Sequence, residues 1–226
     1  MKQIILASAI ICLIFTACKT DKKAEPIQEE VQQTILEKVA YAHGYENWKD
    51  IASLKFTFNV DRDTMHFERD WLWNVSTNEV TGTSLGESLT YLRSEIDSVA
   101  ARTDAAFIND KYWMLAPYNL IWDKESFTYQ HDTLVEAPIS KQSMHKLTIA
   151  YGSEGGYTPG DAYDFYFGDD YTVREWVFRK SNQAEPSVVT TWEDYKDVQG
   201  LKIATMHKNA EGTFSISFTG LEALKR

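Results

Sequence analysis

The sequence predicts an α+β fold: a single strongly curved antiparallel β-sheet, a half-barrel, wrapped around an N-terminal helix and short mid-chain helices. Three observations lead there. A helical stripe lies near the start of the chain, two long alternating strands follow it, and the C-terminal half is a series of short strands separated by turn residues. Short connections of that kind join antiparallel neighbours, whereas parallel strands need longer crossovers.

Pro26 to His43 reads as the helix. Val31, Ile35, Val39 and Ala42 recur at helical spacing, Leu36 and Ala40 widen the stripe, and Gly44 is placed to end it. From Ile51 the period changes to two. Leu54, Phe56, Phe58 and Val60 alternate with polar residues, Asp61-Arg62-Asp63 makes a turn, and Met65, Phe67, Arg69, Trp71, Trp73 and Val75 share the returning face. That pattern is a hairpin of two long amphipathic strands.

The middle is less regular. Asn78 to Ser84 fits a strand, and Leu85 to Ile96 fits either strand or helix. Asp97 to Phe107 has the alanine content of a helix. Asn109-Asp110 reads as a turn, and KYWMLAPYNLIWD as a strand followed by a short helical turn opened by Pro117. This aromatic segment is either a lid or a plug in the core. Further strands are expected at Phe127 to His131, Met144 to Tyr151, Tyr163 to Phe167, Thr172 to Arg179, Val188 to Tyr195, Leu201 to His207 and Thr213 to Phe218. No repeat of fixed period and no second domain boundary is visible, so 29–226 is expected to be a single domain.

The N-terminus carries an address. Lys2 precedes a run from Ile4 to Ala17 that is apolar or small apart from Ser8 and Thr16. It is shorter than the about 20 residues a membrane span needs, and it fits the apolar region of a secretory signal peptide. Its end, Phe15-Thr16-Ala17-Cys18, resembles a bacterial lipobox. The resemblance implies removal of 1–17, and attachment of lipid, diacylglycerol and palmitate-type acyl chains, to Cys18. The alternative is an ordinary secreted protein or an uncleaved anchor. A Cys12–Cys18 disulfide is a poor rival, since Cys12 lies in the segment to be removed. Residues 18–28 would then form the lipidated end and a polar tether, with an acyl anchor worth about 0.8 kcal/mol per buried CH₂. Lys19 stands where the usual inner-membrane retention signal has Asp, which favours the outer membrane, on either its periplasmic or its surface side.

The formal charge is −10, and losing Lys2 from the 23 basic residues leaves 22 against 33 acidic ones. An acidic chain with no basic cluster excludes nucleic acid as the expected partner, and contact with a membrane would come through the acyl groups on Cys18.

Catalytic patterns are missing: there is no G-x-S-x-G, H-E-x-x-H, phosphate-binding loop or G-x-G-x-x-G. His43, His66, His131, His145 and His207 are scattered one per element, so no metal site and no cofactor is expected. Asp61 with Asp63, and Asp169 with Asp170, fit turn chemistry better than paired catalytic carboxylates. GSEGGYTPG (152–160) reads as a surface loop. The chain is therefore expected not to be an enzyme, with a hydrolase assembled from distant carboxylates as the weakest alternative.

The aromatic alternation is the functional lead. Phe56, Phe58, Phe67, Arg69, Trp71 and Trp73 point to one side of the hairpin, and Phe165 and Trp176, with Tyr163, Phe167 and Phe178, can extend that face. These residues either pack on the helices or line an apolar cavity that takes a small molecule. Arg69 falls in phase with Phe67 and Trp71, and a buried arginine needs a partner. A bulge or the strand end could equally turn it outward.

The segments AHGYENWKDIASLKFTF, FINDKYWMLAPYNLIWD and TTWEDYKDVQGLKIATMHK resemble those of an uncharacterised family of Gram-negative envelope lipoproteins. That family is similar in outline to the LolA/LolB-type half-barrels of lipoprotein sorting, and the strand-turn-strand pattern DYKDVQGLKI shares in the likeness. The resemblance implies a lipid-anchored protein that binds a lipid or acylated chain in its concave face, and it makes Arg69 similar to an interior arginine that latches a helical lid. The alternative is a structural or interaction module with a packed core, serving an envelope protein complex.

Overall fold

The computed structural model describes residues 32–154, 157 and 159–226, of which Gln33–Arg226 form one unit. The expected signal peptide 1–17, Cys18, the tether 18–28 and the first residues of the expected helix lie outside the described residues.

Helix α1 (Ile35–Ala42) begins later than the expected Pro26 because Thr34, in an extended conformation, caps it. The Glu37 N–H donates to Thr34 Oγ1 at 3.3 Å, and the Thr34 N–H donates to Glu37 Oε2 at 2.7 Å, a reciprocal capping box. Gly44 ends the helix with φ 80°, and a Cβ there would fall 2.0 Å from the Gly200 carbonyl oxygen, so both conformation and space demand glycine. A 3₁₀ turn, Tyr45–Asp50, leads into the sheet.

Strands β1 (Ile51–Arg62) and β2 (Met65–Asn74) form the hairpin. Its register sets Leu54 opposite Trp73, Phe56 opposite Trp71, Phe58 opposite Arg69 and Val60 opposite Phe67. The turn falls at Asp63-Thr64, just beyond the expected one, with Asp63 in the left-handed region that Asp tolerates. β3 (Glu79–Ser84) and β4 (Glu87–Leu92) follow, so the ambiguous Leu85 to Ile96 segment contributes a strand. After helix α2 (Ala100–Trp122) come β5 (Phe127–Glu136), β6 (Ser143–Tyr151), β7 (Ala162–Phe167), β8 (Val173–Arg179) and β9 (Val188–Thr191). The chain closes with β10 (Lys196–Val198), β11 (Leu201–Ile203), β12 (Met206–Lys208) and β13 (Phe214–Lys225). Expected strand 201–207 is thus two short strands.

All these pairings are antiparallel. One ladder runs β12-β13-β1-β2-β3-β4 and a second runs β5-β6-β7-β8-β9. They join edge to edge through the bridge between Glu193 and Met206, where Glu193 N–H donates to the Met206 carbonyl at 2.8 Å. The result is a curved antiparallel layer open between β4 and β5. The β10–β11 hairpin stands apart, turning at Gln199 and Gly200 with φ 58° and 90°, the double positive φ of a two-residue hairpin turn.

The mid-chain region departs from expectation. Instead of short helices with an intervening turn and strand, Ala100–Trp122 is one helix, interrupted at Leu115 by φ −116° and ψ 21°. Pro117 lacks the N–H that would bond back one turn and its ring crowds that turn, so the backbone relaxes just before it and the proline opens a second helical segment. Asp110, expected in a turn, lies inside α2 and fully buried.

This helix fills the concavity. Phe107, Met114, Leu115 and Tyr118 pack with Leu54, Phe56, Phe58, Trp71 and Trp73 of the first ladder. Tyr112, Ala116 and Leu120 pack with α1 residues Leu36 and Val39, and with Leu147, Ile149, Phe165 and Trp176 of the second. Burial at about 25 cal/mol per Å² of apolar surface makes these two half-cores the principal stabilising contacts.

Candidate functional site: the Arg69 latch and its grooves

The pleat of β2 sends Phe67, Arg69, Trp71 and Trp73 toward α2. Arg69 reaches across and grips Asp110, Nε to Oδ2 at 2.7 Å and Nη2 to Oδ1 at 2.6 Å. The Trp71 indole N–H donates to Asp110 Oδ2 at 2.9 Å, and the Asn109 amide donates to Oδ1 at 3.0 Å. Both carboxylate oxygens are thus satisfied, as burial of a charge requires. Burial pushes the Asp110 carboxyl above the ordinary carboxylate range, and the Arg69, Asn109 and Trp71 donors pull the other way. The Arg69 guanidinium also lies over the Phe67 ring, 4.7 Å from its centroid, and over Phe58 at 5.5 Å.

Grooves open on both sides of this pair. One, of about 380 Å³, is walled by Phe58, Val60, Phe67, Trp113, Phe214 and Ile216, with Arg69 at its edge. The other, about 760 Å³, lies between Phe67, Trp71, Leu85, Leu89, Val99 and the first turns of α2. Gly82 opposes Trp71 on β3, and a Cβ there would sit 2.3 Å from the Trp71 ring, so the indole occupies space only glycine leaves free.

A second carboxylate ties α2 to the sheet. Asp104 accepts from Tyr91 Oη at 3.0 Å, Arg93 Nε at 2.8 Å and the Tyr157 hydroxyl. Two buried aspartates on one helix, one gripped by Arg69 of β2 and the other by Arg93 just after β4, define the site as a half-barrel whose concave face is stoppered by a latched helix.

The expected lining residues divide. Phe58, Phe67 and Arg69 meet at the first groove, and Phe67, Arg69 and Trp71 at the second. Phe56 and Trp73 are sealed beneath Phe107 and Leu115, and Phe165 and Trp176 pack on the opposite side of α2, Trp176 lying 4.6 Å from Trp113. These four are packed core rather than cavity wall, because α2 occupies the space they face. Cys18 lies outside the described residues.

The fold also joins residues that looked solitary. His131 Nε2 and His145 Nδ1 lie 3.0 Å apart, stacked against Phe167, with Asp169 at 3.3 Å from the second ring. A diagonal relation across β5 and β6 makes this pair, and no local spacing announces it. Asp61 lies at the end of β1 rather than in the turn and accepts from His66 Nδ1 across the hairpin at 2.8 Å. Asp170 accepts from the Thr172 N–H at 3.1 Å and Arg174 at 2.7 Å, which accords with its turn role.

No family model matches the chain, and no curated protein matches it. Solved structures are similar to it. They include a DUF1329 family protein from Desulfovibrio piger (8% identity, 85% of this chain and 94% of that one, TM-score 0.47). A putative outer membrane lipoprotein-sorting protein domain from Vibrio parahaemolyticus is similar at 13% identity (83% and 91% covered, TM-score 0.47). A LolA superfamily protein from Nitrosomonas europaea is similar at 10% identity (83% and 91% covered, TM-score 0.48).

Proposed function

We propose that this protein is a non-enzymatic, lipid-anchored envelope lipoprotein that takes up an apolar or amphiphilic ligand, a lipid or acylated chain, beside the Arg69–Asp110 pair. The observation that carries the reading is the pair itself: a bidentate ion pair that holds a helix inside a concave sheet, with a largely apolar groove on one side and a groove of mixed apolar and polar lining on the other. Because α2 is held to β2 and β4 by polar contacts as well as apolar ones, exchanging those contacts for water would let it swing away and enlarge the grooves. Cys18 would hold the protein to the outer membrane while the tether sets its reach. The test is extraction of the purified full chain with organic solvent, followed by mass spectrometry, and labelling with a photoreactive palmitate analogue. The expected result is acyl label on peptides containing Phe67 or Trp113. Absence of both co-purifying lipid and label would overturn the proposal.

One observation favours a second reading. Trp71, Trp73 and Phe107 interlock at 5.3 and 5.5 Å ring separations, so the interior behind the latch is filled as it stands. A packed interaction module for an envelope protein complex would need no ligand. Crosslinking in the envelope with and without Cys18 would then yield a protein partner and no lipid.

A further inference from the structure

A separate cavity of about 440 Å³ lies where α2 meets the residue following β4 and the end of β6. We propose that it binds a small organic carboxylate bearing a hydroxyl or amide donor, the anion held by Lys111 and Arg93 and the donor by Asn119. Lys111 carries the argument. It lines the cavity, is 93% buried given its relative exposure of 7%, and has no hydrogen-bond or ion-pair partner among the described residues. Its Nζ rests against Trp122 and Trp73, at 4.8 and 5.8 Å from their centroids, contacts that steer an ammonium without supplying an acceptor. A buried cation of this kind calls for an anion.

Asp123 and Glu154 also line the cavity, but no carboxylate of the described residues lies within ion-pair distance of Lys111 Nζ, and the nearer ones are turned to other donors. Asp104 takes Arg93 Nε, Tyr91 and Tyr157, and Asp123 Oδ2 takes the Asn119 amide at 2.5 Å and Tyr151 Oη at 3.1 Å. Among the described residues Arg93 bonds through Nε alone, to Asp104, leaving its terminal nitrogens for a second acceptor. Asn119 spends its amide nitrogen, and its buried Oδ1 has no donor among the described residues. Burial pushes Lys111 down to about 8, which still leaves it charged at neutral pH. Tyr112, Tyr151 and Tyr157 contribute aromatic faces to the wall, so an occupant with a flat ring fits beside the charge.

Calorimetry on the full chain with 4-hydroxybenzoate and its neutral isostere 4-hydroxybenzamide tests the assignment. The wild type is expected to bind the acid at least about tenfold more tightly, and Lys111→Met, which keeps volume and removes charge, is expected to abolish the preference. As a measurement needing no variant, 4-hydroxybenzoate should slow reductive methylation of Lys111 and leave that of exposed Lys55 unchanged. Equal binding of acid and amide, binding of neither, a preference that survives Lys111→Met, or no protection of Lys111 would each overturn it.

Discussion

Arg69 and Asp110 are joined by two hydrogen bonds across the boundary between β2 and α2, with the Asp110 side chain wholly buried and that of Arg69 22% exposed. Breaking one side of such a pair strands the other in a poorly solvated site, whereas replacing both removes the desolvation cost as well. Asp110→Leu alone is expected to lower unfolding free energy by about 3–5 kcal/mol. The double variant Arg69→Met/Asp110→Leu should recover a large part of that loss. Chemical denaturation of the four members of the cycle measures it, and additive losses would refute the coupling.

The Trp71–Gly82 contact predicts a steric effect. Gly82→Val places a branched side chain where the indole lies, since even a Cβ meets the ring at 2.3 Å. Overpacking of this kind costs about 1–3 kcal/mol. A lowered melting temperature and altered near-ultraviolet circular dichroism are expected, with far-ultraviolet signal retained.

Acid should weaken the fold through two buried histidines. His43 Nδ1 lies 2.7 Å from the Val39 carbonyl, which can only accept, so this nitrogen carries the proton. His207 sits among Trp113, Trp192 and Phe218 with Nε2 unpartnered among the described residues. Burial pushes His43 down to about 4 and His207 to about 3. An unfolded histidine titrates near 6.5, so the unfolded chain takes up these protons first. The stability tied to the neutral rings is complete above about pH 6.5 and is lost as pH falls toward 4 for His43 and 3 for His207, by up to about 1.4 kcal/mol per unit for each. Denaturation midpoints between pH 7.5 and 4.5 should fall, and His207→Phe should roughly halve the slope.

The proposed lipid attachment makes a cellular prediction. Cys18→Ser should abolish palmitate incorporation and move the protein from the membrane fraction to the soluble envelope fraction. Retention of the label in that variant would refute anchoring at Cys18.

The hairpin was legible because a sheet packed on one face writes its burial into the chain as alternation. Leu54, Phe56 and Phe58 against Trp71 and Trp73 follow from that period, as does the in-phase position of Arg69. The late hairpin was legible for the same kind of local reason, since Gln199-Gly200 supplies its turn. Helix α2 was not. A helix buried against both ladders carries apolar residues all round, leaving no stripe to recognise, and Pro117 within it reads locally as a break.

The sequence by itself therefore determined the long hairpin, the phase that Arg69 shares with Phe67 and Trp71, and the presence of a lipobox-like cysteine, because each depends on near neighbours in the chain. Only the tertiary structure decided that Asp110, 41 residues from Arg69, is its partner, and that Phe165 and Trp176 belong to a different half-core. It also decided that Lys111 faces a polar cavity from the same helix. Those outcomes depend on where α2 comes to lie, and that is set by burying apolar surface on two sides at once.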